Sequence, residues 1–127
     1  MIVVDTSALM AIIFDEPMAE NCIAVIERED ALLISAGTVA ESLIVAGRRN
    51  VGAEMGKLIS GLGFEVASVT SASAQRIVDA YAQWGKGVHP ASLNFGDCFA
   101  YELAIQKDCP LLYVGDDFSR TDVHSAL

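Results

Sequence analysis

Short apolar runs along this chain alternate with longer stretches whose apolar residues recur every three or four positions. "MIVVD" reads as a short buried strand, and "TSALMAIIFD" continues it as a helix capped by Asp5 or Thr6. "EPMAENCIAVIERED" predicts a second helix starting at Glu16 and Pro17, with Ala19, Ile23 and Ile26 at helical spacing. "ALLIS" is a strand. "AGTVAESLIVAGRRN" is a helix with apolar positions Ala36, Val39, Ala40, Leu43 and Ile44, ending in two arginines near its negative dipole end. "VGAEMGKLISGLG" predicts a short, glycine-weakened helix, "FEVAS" a strand, "SASAQRIVDAYAQWG" a helix and "KGVHPASLN" a loop. "NFGDCFAYELAIQKD" is a helix capped by Asn94, "CPLLYVG" holds a strand, "DDFSRT" is a turn, and "TDVHSAL" is a candidate short edge strand.

Strands alternating with helices imply an α/β fold, a parallel sheet covered on both faces. The 127 residues fit one domain, 1–127. Ligands of such sheets sit beyond the carboxyl ends of the strands, where strand order switches. Asp5 ends one strand, and Asp116 and Asp117 follow another.

Composition narrows the chemistry. A hydrophobic fraction of 53% supplies a core, yet no apolar run is long enough for a membrane span. The first charge is Asp5, so no signal peptide is expected. Cys22, Cys98 and Cys109 form no CxxC pair, and His89 and His124 lack zinc-type spacing. Three buried thiols in a reducing cytoplasm are the expectation. The net charge of −9 argues against nonspecific nucleic-acid binding through a broad basic surface. It favours cations or basic protein segments as partners.

Each acid has two readings. Asp5 is a helix cap or a ligand. Asp116 and Asp117 are turn residues, or a pair whose repulsion a cation relieves. Asp97 reciprocates the Asn94 cap, or is aimed at the sheet edge with Gly96 keeping the approach clear. Glu41 sits in an apolar helical stretch with no basic residue one turn away, so it faces solvent or needs a partner. Brought together, Asp5, Glu41, Asp97 and Asp117 would form an all-oxygen cluster suited to Mg²⁺ or Mn²⁺ and to phosphodiester hydrolysis. Thr6 or Ser7 could hydrogen-bond a phosphate or a metal-bound water.

"VVDTSAL", "SAGTVAES", "LNFGDCFAYELA" and "PLLYVGDDFSRTDV" closely resemble the PIN-domain ribonucleases, specifically VapC-type toxins of toxin–antitoxin pairs. The resemblance spans nearly the whole chain. It implies a PIN-like α/β/α sandwich with a central parallel sheet of four to five strands. It implies an acidic metal site for Mg²⁺, with Mn²⁺ as the alternative, and RNA endonuclease activity. It also implies a cognate VapB-type antitoxin that blocks the site, a homodimer, and further assembly with the antitoxin. Carried over by motif, Asp5, Glu41, Asp97 and Asp117 are the quartet, and Asp116 occupies a variable position. Thr6, Asn94, Thr121 and Asp122 match accompanying polar positions.

Only eight Lys and Arg are present. Arg48, Arg49, Lys86 and Arg120 are candidates for flanking RNA phosphates, each against a reading as ordinary solvated charge. Trp84, Phe95 and Tyr101 could stack bases, but core packing is the stronger expectation. A receiver-like phosphate-handling protein would need an acidic pair at the first strand and a later Lys, and a haloacid-dehalogenase-type phosphatase would need Asp-x-Asp. Neither pattern is present. A non-catalytic PIN-like module is the remaining alternative, against which the complete quartet argues.

Overall fold

The computed structural model describes all 127 residues. In chain order the elements are β1 (Ile2–Val4), α1 (Thr6–Ile13), α2 (Ala19–Arg28), β2 (Leu32–Ser35), α3 (Ala36–Arg48), α4 (Gly52–Gly61), β3 (Glu65–Ala67), α5 (Ser71–Trp84), α6 (Phe95–Lys107) and β4 (Leu111–Leu112). A 3₁₀ turn follows at Phe118–Arg120. The four strands form one parallel sheet in the order β3-β2-β1-β4.

β1 is only three residues long but wholly buried. Full burial of each Val or Ile is worth roughly 1.5–3 kcal/mol, enough to fix so short a strand at the centre. Its side chains alternate between two cores. Val3 joins Leu33, Ile77, Leu103 and Phe118 on the α5–α6 face. Ile2 and Val4 join Leu9, Cys22, Ile34 and Met55 on the α1–α2–α4 face. This is the α/β/α sandwich.

From β1 the chain steps outward to β2 and β3, then returns to place β4 on the other flank of β1. Strand order therefore switches between β1 and β4, the position at whose carboxyl ends sheets of this kind have their ligand crevice. The Asp5 N–H donates to the Leu112 carbonyl at 3.0 Å, which fixes Asp5 at that crevice.

The sequence reading departs from the structure in three places. The tail is no strand: it makes one parallel bridge, Leu111 to Ser125, with the Leu111 N–H donating to His124 O and the Ala126 N–H donating to Leu111 O. Ile23 is exposed, because α2 turns Ala19, Cys22, Val25 and Ile26 inward instead. Of the apolar stripe expected to bury α3, Ala40, Leu43 and Ile44 are exposed, Ala36 and Val39 are half-buried, and the fully buried positions are Thr38, Ser42 and Ala46. Cys22 and Cys98 are buried, Cys109 is partly buried, and all three thiols are free. No helix is long and apolar enough to cross a membrane.

Candidate active site

Asp5 is the N-cap of α1 and only 2% exposed. Its Oδ2 accepts the Ser7 N–H at 3.0 Å and the Ser7 hydroxyl at 2.7 Å. Its Oδ1 is buried with no hydrogen-bond partner. Capping therefore occupies one oxygen and leaves the other aimed at nothing in the protein. Ser7 Oγ in turn accepts the Val114 N–H at 3.0 Å, which ties the exit of β4 to the exit of β1. Burial, first, and the charge of Glu41 push the Asp5 carboxyl up to about 6 against the pull of the Ser7 bonds.

Glu41 reaches the same place from the middle of α3. Its Oε1 accepts the Thr6 hydroxyl at 2.6 Å, and Thr6 Oγ1 also pairs with Ser42 Oγ at 3.0 Å. The carboxylate lies against Gly96, where any Cβ would collide with it. The partner that Glu41 needs is thus a hydroxyl from α1, and the approach depends on position 96 having no side chain.

Asp97 stands at the third position of α6 in a reciprocal cap. Its N–H donates to Asn94 Oδ1 at 2.8 Å, and its Oδ2 accepts the Asn94 N–H at 3.0 Å. The cap holds the Asp97 carboxylate at the start of α6, where the charges of other acids reach it. Asp97 is 8% exposed, and burial, then the charges of Asp5, Asp117 and Glu41, push it up to about 7. Those three charges act on it from three other segments.

Gly115, at φ 103°, turns the chain out of β4 in a conformation that side chains resist. Asp116 and Asp117 follow, both exposed. Of the pair, Asp117 is the one whose charge acts on Asp97. The Asp116 carbonyl accepts the Ser119 hydroxyl at 2.6 Å and stabilises the turn.

Other expected residues lie elsewhere. Thr121 donates to Phe118 O at 2.8 Å, and Asp122 accepts the Tyr101 hydroxyl at 2.6 Å. Neither bonds to the acids. Trp84 Nε1 donates to Tyr101 at 2.8 Å, so both rings are engaged in packing, as expected. Phe95 is not: it is 68% exposed. Arg49 stacks its guanidinium 3.9 Å over the Phe14 ring, a cation-π contact that supplies a structural role. Arg120 donates to Pro90 O at 3.3 Å, while Arg48 and Lys86 are exposed. Sequence reasoning missed Ser42. The signal available was a polar residue one helical step from Glu41, inside an apolar stretch.

As they stand, no three His, Cys, Asp or Glu side chains are close enough to grip one ion together. A Mg²⁺-sized cation does not need that, since it is held through one or two carboxylates and keeps several waters. The orphaned Asp5 Oδ1, the all-oxygen donors and the carboxyls pushed up by burial and then by like charges fit such a cation.

A model of the PIN domain matches residues 2–124. Ribonuclease VapC28 of Mycobacterium tuberculosis is 40% identical over 129 residues, covering 98% of this chain and 97% of that one. Ribonuclease VapC30 of the same organism is 38% identical, covering 95% of each. Among solved structures, the sarcin-ricin-loop-cleaving toxin VapC20 of M. tuberculosis superposes with TM-score 0.79 at 15% identity, covering 97% of this chain and 96% of that one. VapBC2 from Rickettsia felis, bound to a promoter DNA fragment, superposes with TM-score 0.70 at 17% identity, covering 98% and 96%.

Proposed function

The chain belongs to the PIN domain family, and from that membership and the site geometry we propose that it is a metal-dependent endoribonuclease and the toxin of a toxin–antitoxin pair. The observation that carries the reading is Asp5 at the β1–β4 switch with one buried oxygen left unpartnered, and Asp97 feeling the charges of Asp5, Asp117 and Glu41.

Asp5 and Asp97 are the residues that would hold Mg²⁺ or Mn²⁺, with Glu41 and Asp117 bordering them. When bound, such a cation orients and acidifies a water and neutralises charge developing on the phosphate. The protein's own residues do the rest. Ser7 orients Asp5, Thr6 orients Glu41, and the Asn94 cap orients Asp97. A partly buried Glu41 beside this crevice is placed to accept a proton from an attacking water.

The names of the relatives support RNA as the substrate. A solved toxin–antitoxin complex from Klebsiella pneumoniae, which matches with TM-score 0.69 at 16% identity, and the VapBC2 assembly support a VapB-type partner. A chain of net charge −9 suits a partner with a basic segment that enters the acidic crevice. The test compares wild type with Asp97→Asn on single-stranded RNA, with Mg²⁺ and with EDTA. Cleavage by the wild type only with Mg²⁺, and none by the variant, is expected. Wild-type activity that survives EDTA would overturn the metal mechanism.

A further inference from the structure

Three of the four acids are each held by a hydrogen bond: Asp5 by Ser7, Glu41 by Thr6 and Asp97 by Asn94. Asp117 is held differently. It caps the turn Phe118–Arg120 without a side-chain bond, and it is exposed. It stands two residues beyond Gly115, which bends the chain at φ 103°. Its place is therefore set by its backbone, and that backbone is anchored at two later points. Phe118 is buried, its ring 5.1 Å from that of Tyr113. Asp122 accepts the Tyr101 hydroxyl at 2.6 Å. One anchor leaves a turn free to pivot, and two fix it. Asp122 is exposed, so water could satisfy its carboxylate, and folding alone does not require the bond to Tyr101.

We propose that Tyr101 is a positioning residue of the acid site: through Asp122 it fixes the turn that carries Asp117 against the helix that carries Asp97, and so sets how Asp117 meets the ion. Tyr101 follows Asp97 by one helical turn on α6, so the two share a face. The hydrogen bonds have one possible direction. Trp84 Nε1 can only donate, and it gives its proton to Tyr101 Oη at 2.8 Å. Tyr101 has a single proton, which goes to Asp122. The relay thus runs from the last residue of α5, through α6, to the segment behind Asp117. Its helical end is rigid: Tyr101 is buried, and a buried hydroxyl is costly unless bonded. Its far end is a short bond of the hydroxyl–carboxylate kind, among the stronger hydrogen bonds. The charge of Asp117 reaches Asp97, so a movement of the turn is felt at the site. The step to the ion rests on the metal reading above, and the bracing of the turn does not.

Tyr101→Phe cuts the relay in the middle and keeps the ring. Hydrogen exchange in EDTA needs neither ion nor RNA, so it judges the brace apart from the nuclease reading. The N–H groups of Ser119 and Thr121 close the turn at 3.2 and 3.0 Å. In the variant they should exchange about tenfold faster, over and above any gain in β1. An equal gain in the turn and in β1 is a general loss of stability and overturns the brace, as does no gain. Mg²⁺ titrated calorimetrically should bind the variant about tenfold more weakly. Asp122→Asn keeps an acceptor oxygen and should bind Mg²⁺ like wild type, whereas Asp122→Ala should match Tyr101→Phe. In an Asp117→Asn background Tyr101→Phe should cost no further affinity, because it acts through that acid. Wild-type affinity in Tyr101→Phe, or a full second loss in that background, overturns the proposal. Should wild type bind no Mg²⁺, the metal reading fails, and the exchange comparison alone decides the brace.

Discussion

Gly96 and the Glu41 carboxylate are in contact, and the space a Cβ would take at position 96 is already filled by the Glu41 side chain. In an ordinary helix Gly→Ala gains up to about 1 kcal/mol. Here the added methyl group would have to push Glu41 aside. Gly96→Ala is expected to keep the fold by circular dichroism and lose cleavage, since a displacement of about 1 Å at a reacting centre can cost on the order of 100-fold. A variant that cuts RNA at the wild-type rate would show that the position of Glu41 is irrelevant.

Thr6 holds that same carboxylate. Thr6→Val removes the donor and leaves Ser42 short of a partner, at a cost of about 1–3 kcal/mol in stability. The cleavage rate should fall about 10–100-fold, as for other losses of a ligand-orienting bond. Thr6→Ser should restore most of it. Equal rates for Val and Ser would reduce Thr6 to a packing residue.

The adjacent acids after β4 should part company. Asp117→Asn is expected to weaken both Mg²⁺ binding and cleavage, because its charge reaches Asp97. Asp116→Asn should leave both close to wild type. Calorimetric titration of Mg²⁺ into the two variants decides it, and equal losses would make the pair a joint ligand.

Asp5 and Asp97 predict an unusual pH response. Their folded pKa values, about 6 and about 7, lie above the ordinary 3.8. Between pH 4 and 7 the folded chain holds protons that the unfolded chain has released, so stability falls as pH rises. In EDTA the loss across that window is on the order of a few kcal/mol. Added Mg²⁺ should flatten it by binding the ionised native state. Chemical denaturation at several pH values, with and without metal, measures both. Stability that rises from pH 4 to 7 in EDTA would contradict the raised carboxyls of Asp5 and Asp97.

Arg49→Ala should cost about 0.5–1 kcal/mol through its lost contact with Phe14. It should leave the salt dependence of RNA binding unchanged. Any arginine that touches a phosphate would, on removal, flatten that dependence by about 0.7 log units per log unit of salt for single strands. A flattened slope for Arg49→Ala would restore it to the RNA surface.

The acids were legible in the sequence because each sits where local chemistry fixes its direction. Asp5 follows a buried strand, and Asp97 stands three residues from the cap Asn94. Asp117 follows a turn that Gly115 permits. α3 was harder. Periodicity identifies which residues share a face but not which face looks inward, and an apolar stripe on Ala40, Leu43 and Ile44 ordinarily means core. The contact of Ser42 with Thr6, made across the fold, accompanies the inward turn of that polar position, with Val39 and Val45 packed against the core beside it. The partners of Thr121, Asp122 and Arg49, which are Phe118, Tyr101 and Phe14, were not legible for a related reason: tertiary packing sets them, and no spacing encodes it.

Residues 124–126 run along β4 and take both backbone hydrogen-bonding groups of Leu111, while Arg28 clasps Ala126 O at 3.2 Å. The sheet is left with one open edge, β3, three residues long and opening on an exposed glutamate. Fibres grow by adding strands to edges, and each added unit must offer a fresh edge for the next. A molecule with a single edge cannot do that. Two could join through β3, and growth would stop there. The tail thus covers the β4 edge, and a variant lacking it would expose the backbone groups of Leu111 as a second edge.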